Sequence, residues 1–159
     1  MKNVNLSLAK KENVMRVLQV FLAVGVLAIA AIAASTGAHS GGVKVIANSK
    51  VSVDAISVDE LKDVFLQSRS SLSDGTPVHP VLEKGGPAHE TFLKQYVGKT
   101  DAALQTYYRG LVFTGKAPMP KMFDSDAEVI AYVTKTRGAI GYVSSEASTD
   151  GVKTLVVKH

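Results

Sequence analysis

The chain contains no cysteine, and that absence removes disulfide frameworks, thiolate metal sites and any lipid-modified cysteine at a signal junction. Catalytic signatures are missing as well. No Gly-x-Ser-x-Gly elbow or comparable nucleophile motif occurs, and no histidine pairs in sequence with a nucleophile to suggest a triad. His39, His79, His89 and His159 show no metal-ligand spacing and no carboxylate pair on one helical face. These gaps argue for a non-enzymatic protein with neither metal nor cofactor. There is no internal repeat, and no low-complexity linker beyond Ser35 to Gly42.

What the chain does have, at its amino terminus, is an export pattern. Lys2, Lys10, Lys11 and Arg16 precede an apolar run from Val20 to Ala34 that Val17 and Leu18 extend upstream, the order of a charged region and a hydrophobic region in a signal peptide. Ala31-Ile32-Ala33 and Thr36-Gly37-Ala38 offer small-x-small patterns for cleavage after Ala33 or Ala38. The alternative is a retained anchor, because Val17 to Ala34 comes close to the roughly 20 apolar residues that cross a bilayer. Residues 1–38 are thus expected to be a signal peptide or membrane anchor. The remaining 121 residues suit one domain.

The leader also accounts for the charge. It holds four of the 18 Lys and Arg and one of the 14 Asp and Glu, so the rest carries 14 basic against 13 acidic side chains. That near balance excludes a nucleic-acid surface, which needs clustered basic residues on the folded part. Any membrane contact falls to an uncleaved leader.

Beyond Gly42, Val43 to Ala47 reads as a short β-branched strand. Ser57-Val58-Asp59-Glu60 has the form of a capping box, and Val58, Leu61, Val64 and Phe65 recur at helical spacing, predicting a helix over 58–67. A turn at Asp74-Gly75 leads to a strand over 78–82, whose Pro80 implies an edge or a strand end. Pro87 suits a first helical position and Gly98 a stop, with Phe92, Leu93, Tyr96 and Val97 on one face between them. Thr100 caps a further helix with Leu104, Tyr107, Tyr108 and Leu111 on its apolar face; at that spacing the tyrosines read as core rather than as a ligand clamp with Arg109. The stretch 114–121 is irregular. A second capping box, Ser125-Asp126-Ala127-Glu128, opens a helix that Arg137-Gly138 closes, and 139–143 and 154–157 are the last strands. The alternation argues an α/β class, a central mixed sheet flanked by helices.

Several of these segments together resemble the phosphate-type solute-binding proteins of ABC uptake systems. They are Val45-Ile46-Ala47-Asn48 with the helix from Ser57 to Phe65, Phe113-Thr114-Gly115, Ser125-Asp126-Ala127-Glu128-Val129, and Gly138-Ala139-Ile140-Gly141-Tyr142-Val143. They cover residues 43–157. A full member of that family has two lobes and about twice this length, so the resemblance implies a single periplasmic-binding-protein-like lobe. It further implies a periplasmic location, phosphate or a related oxyanion as ligand, and an ABC permease or another envelope protein as partner.

Proteins of that family hold a tetrahedral oxyanion on amide groups at helix amino termini, where unpaired donors and the positive dipole end coincide. Two such ends are candidates here. One is the glycine loop Lys84, Gly85, Gly86, Pro87, Ala88 and His89, with Lys84 and His89 able to add charge; the other is the helix start at Ser125 and Asp126. Family members carry an Arg and a Ser-Gly-Thr run near this loop. Here Val81-Leu82-Glu83-Lys84 stand before Gly85-Gly86-Pro87, and Pro87 lacks a donor. The plain reading of the same residues is an ordinary turn and an ordinary N-cap. The rival function is an envelope interaction module that keeps the fold without a small-molecule site, working through sheet edges or the Pro118 to Pro120 loop.

Overall fold

Alternating side chains along the strands build two cores, one on each face of a single sheet. In the computed structural model, which describes residues 42–159, Val45, Ala47, Leu82, Ile140, Tyr142 and Leu155 point into one cluster, while Ile46, Val81, Ala139 and Val143 point into the other. This period-two division is what a sheet covered on both faces demands.

The strands are β1 (Val43–Asn48), β2 (Ala55–Ser57), β3 (His79–Glu83), β4 (Lys121–Phe123), β5 (Ala139–Ser144) and β6 (Val152–Lys158), in the spatial order β2-β6-β1-β5-β3-β4. β1 runs antiparallel to β5 and β6, whereas β3 is parallel to both β5 and β4. The helices are α1 (Val58–Phe65), α2 (Pro87–Phe92) with a π-helical continuation over Leu93–Val97, α3 (Asp101–Phe113) and α4 (Asp126–Lys135). α1, α2 and α3 bury Leu61, Val64, Phe65, Phe92, Leu104 and Tyr108 on the first face. Among the described helices, α4 alone covers the second with Val129 and Val133. It can do so because residue 141 is glycine: a Cβ there would stand 3.1 Å from Val129 Cγ1 and 3.3 Å from the Val81 carbonyl.

The first core is centred on aromatic rings. Phe92 stacks on Tyr142 with centroids 3.9 Å apart, and Phe65 tilts against Phe92 at 4.6 Å. Tyr108 is buried and donates to the Phe65 carbonyl at 2.5 Å, while Tyr107 donates to the Leu66 carbonyl at 2.8 Å. The pair therefore clamps the carboxyl end of α1, in keeping with the core reading.

Departures from the expectations have local causes. α1 stops at Phe65 and not at residue 67, because Gln67 takes a left-handed φ of 52° and the Leu66 and Ser68 amides close back on Lys62 and Asp63. β3 is an inner strand and not an edge, but the other expected place for Pro80 holds: it is the second residue at the start of β3, and β4 begins only opposite Val81. The His79 amide donates to Gly138 and the Lys84 amide to Phe123, so by alternation the nitrogen of residue 80 faces the side where no partner strand has started. The three-residue strands β2 and β4 are too short to carry a readable period. The expected leader, residues 1–38, with its cleavage points at Ala33 and Ala38, lies outside the described residues. Among the described residues no helix is long and apolar enough to cross a membrane.

Candidate functional site

β3 and β4 are parallel neighbours, and the helix that follows each lies on the opposite face of the sheet from the other. The chain leaving β3 turns through Lys84-Gly85-Gly86 into α2; the chain leaving β4 turns through Asp124-Ser125 into α4. Diverging connections of this kind open a crevice at the carboxyl ends of the strands, the usual ligand position in open α/β sheets. The two turns are tied together. The Lys84 amide donates to the Phe123 carbonyl at 2.8 Å, and Lys84 Nζ pairs with Asp124 Oδ2 at 2.7 Å. Both candidate helix starts thus stand at one end of one sheet.

The two starts differ in how their first-turn amides, which no helix satisfies internally, are treated. Gly86 occupies the N-cap of α2 with φ 96° and offers no side-chain cap, and Pro87 follows it. Gly85 and Gly86 are exposed and Ala88 is buried. By contrast, Ser125 Oγ accepts from the Glu128 amide at 3.3 Å, so it caps α4. The Glu128 carboxylate does not return to Ser125 as a full capping box requires; it takes the Asp124 amide at 2.9 Å. At α1 the Ser57 hydroxyl caps Glu60 at 3.2 Å, but the Glu60 carboxylate turns to Arg69 and the Ser73 amide.

Asp126 is already engaged. Its carboxylate accepts the Ser144 amide at 2.9 Å and the Ser144 hydroxyl at 2.5 Å. It also bonds Glu83, the buried last residue of β3. Burial, then the hydrogen bond to Asp126 and its charge, push the Glu83 carboxyl up to about 8. Burial acts in the same direction on Asp126, but the Ser144 hydroxyl, Glu83 and the Ser144 amide outweigh it and hold that carboxyl below the usual value. Glu83 therefore keeps the shared proton and Asp126 the charge.

His89 departs from the expectation of adding charge to the loop. It is 1% exposed. Its Nδ1 lies 2.5 Å from the Tyr142 hydroxyl and its Nε2 3.0 Å from Asp101 Oδ1. The Asp101 carboxylate can only accept, which puts the ring proton on Nε2 and makes Nδ1 the acceptor of the Tyr142 hydroxyl, whose oxygen in turn accepts the Glu83 amide at 3.1 Å. With both ring nitrogens engaged and the ring buried, His89 anchors α2 to α3 and β5 and has neither nitrogen free for a ligand. The Tyr142–Glu83–Asp126 arrangement was not read from the sequence, where nothing marks a glutamate at the end of a strand as buried.

No protein-family model matches the chain, and no curated protein matches it. Solved structures do. A Clostridium perfringens protein described as a phosphate ABC transporter substrate-binding protein, solved with bound phosphate, superposes with a TM-score of 0.59 at 18% identity, over 74% of this chain and 45% of its own. An ABC-type phosphate transport receptor from Vibrio cholerae gives 0.57 at 15% identity, over 74% and 46%. PstS from Borrelia burgdorferi gives 0.54 at 14% identity, over 74% and 47%. The chain spans under half the length of these structures. It has their α/β fold over an extent consistent with one lobe.

Proposed function

We propose that this chain is an exported, non-enzymatic domain that binds phosphate or a related oxyanion in the crevice after β3 and β4, as one part of an ABC-type uptake system in the periplasm. The observation that carries the reading is the uncapped start of α2 beside Lys84, set at the same sheet end as the start of α4. There the amides of Gly85, Gly86 and Ala88 and the Ser125 hydroxyl are the donors, and the exposed Lys84–Asp124 pair opens at little cost because such pairs contribute less than about 1 kcal/mol. Asp126 frames the site as a fixed carboxylate. His89, an expected ligand, enters only as the anchor of α2. The names of the superposed proteins support phosphate as the ligand class.

The crevice lacks a second wall, and an anion bound there is open to water, where charge-assisted hydrogen bonds lose much of their net strength. A second copy or an envelope protein closes it in this reading. The charged and apolar pattern of residues 1–38 supports export, and a fractionation blot with a carboxyl-terminal tag reports it through mass and compartment. Ligand binding is read by melting the full chain with millimolar phosphate, sulfate and molybdate, since a ligand of the native state raises Tm with the logarithm of its concentration. A rise that Lys84→Ala diminishes supports the proposal. No rise with any oxyanion sinks it.

That outcome would favour an envelope interaction module instead. Its supporting observation is apolar exposure at the end of α3 and in the loop beyond it: Phe113 is 92% exposed, Val112 46% and Met119 41%.

A further inference from the structure

The other end of the sheet carries a recess of about 350 Å³ lined by Lys50, Ser52, Thr76, Pro77, Val78, His79, Arg137 and Gly138. It lies where β1 ends and where β3 and β5 begin. The turns after β3 and β4 are thus a strand length away. We infer that this recess is a second, independent binding site for a small organic anion, a carboxylate or phosphate monoester on a compact apolar body.

Three segments form its walls, and each is held by the fold. The Lys50 segment is pinned by Asn48, which is buried: its Oδ1 accepts the Lys50 amide at 3.0 Å while its Nδ2 donates to the Val133 and Thr134 carbonyls at 2.8 and 3.0 Å. The segment entering β3 is fixed by the Val78 amide on Ser70 and the His79 amide on Gly138. Residue 138 must be glycine, because φ is +77° and a Cβ would stand 2.5 Å from the Pro77 carbonyl. That contact brings the Arg137 turn hard against the floor made by Pro77 and Val78.

The lining contains two cations and no carboxylate. Among the described residues neither the Lys50 ammonium nor the Arg137 guanidinium has an ion-pair partner. The acids nearest the lining in sequence are engaged elsewhere: Asp54 pairs with Lys153 Nζ at 2.9 Å, and Asp74 is turned to Thr76, accepting its amide at 2.9 Å and its hydroxyl at 2.8 Å. The Thr76 proton is thereby used, and the Ser52 hydroxyl is engaged with Thr76 Oγ1 at 3.4 Å, which leaves the His79 ring as a neutral donor beside the two cations. A guanidinium fork matches the two oxygens of a carboxylate or phosphate. A volume of about 350 Å³ exceeds a bare tetrahedral ion and falls in the range of small-molecule sites, and Pro77 and Val78 supply the apolar contact.

The test uses the full chain in mild detergent, labelled for amide shift titration with phenyl phosphate and with benzoate. The proposal requires saturable millimolar shifts at the Lys50, Ser52 and Gly138 amides. The double variant Lys50→Gln/Arg137→Gln should weaken that binding by at least about tenfold, equivalent to about 1.4 kcal/mol. Both side chains are exposed, so the variant retains the wild-type amide spectrum elsewhere. Lys84→Ala should leave these shifts unchanged, which separates this site from the one after β3 and β4. Saturation by only one probe identifies the head group. Shifts confined to Gly85 and Gly86, a non-saturating response matched by chloride (an adventitious ion only), or unchanged affinity in the double variant each overturn it.

Discussion

Glu83 and Asp126 meet at the end of β3 as an acid–carboxylate pair holding one proton between them. Glu83 is raised from 4.5 to about 8 by burial and by Asp126, so the native state binds that proton more tightly than the unfolded chain does. Stability from this group is full below pH 4.5 and is lost as pH rises toward about 8. Asp126 is shifted the other way, so its contribution is lost as pH falls through and below the ordinary carboxylate range. Melting temperature followed against pH should decline from pH 5 to 8, and Glu83→Gln should flatten that decline. An unchanged slope in the variant would refute the shared proton.

The Tyr142–His89–Asp101 chain predicts a coupled loss. His89→Ala removes a buried ring and leaves the Tyr142 hydroxyl without its acceptor, for a cost of about 2–4 kcal/mol. Tyr142→Phe leaves the Glu83 amide and His89 Nδ1 unpaired, costing about 1–3 kcal/mol. Denaturant unfolding of the double variant should show a non-additive coupling of about 0.5–3 kcal/mol. Strict additivity would deny the network.

Gly141→Ala should destabilise by about 1–3 kcal/mol, the usual cost of overpacking, because its Cβ would meet Val129 and the Val81 carbonyl. Val129→Ala in the same chain should recover part of that loss. Equilibrium unfolding of the three variants checks both statements.

Asp124→Asn releases Lys84 from its exposed pair. Stability should move by no more than about 0.5 kcal/mol, while any phosphate-dependent rise in Tm should grow. A smaller rise would argue that Lys84 does not face the anion.

Phe113→Ser should be close to neutral for folding, since the side chain is 92% exposed. If the carboxyl end of α3 is a contact surface, sedimentation should show weaker association for this variant than for the wild type.

The order of the longer elements was legible because each has a local cause. Ser57, Thr100 and Ser125 cap the helices that their positions announced, and the β-branched run at Val43 and the segment from Ala139 became strands. The short strands β2 and β4 were not legible, since three residues hold no period and exist only through pairing with β6 and β3. The candidate site was half legible. Lys84 is tied to Phe123 and Asp124, the two residues before Ser125, but His89 reads in sequence like a loop residue and is carried into the core by the first turn of α2.

Local chemistry along the chain therefore decided the longer elements, the α/β class and the two turns that carry glycine and serine, because caps, turn residues and hydrophobic period act over a few neighbours. Tertiary structure alone decided which charges survive. Burial at the end of β3 made Glu83 an acid that keeps its proton, the packing of α2 against α3 and β5 consumed both nitrogens of His89, and the meeting of three strand ends left Lys50 and Arg137 around one recess. Desolvation and pairing depend on what lies nearby in space, which residue order does not contain.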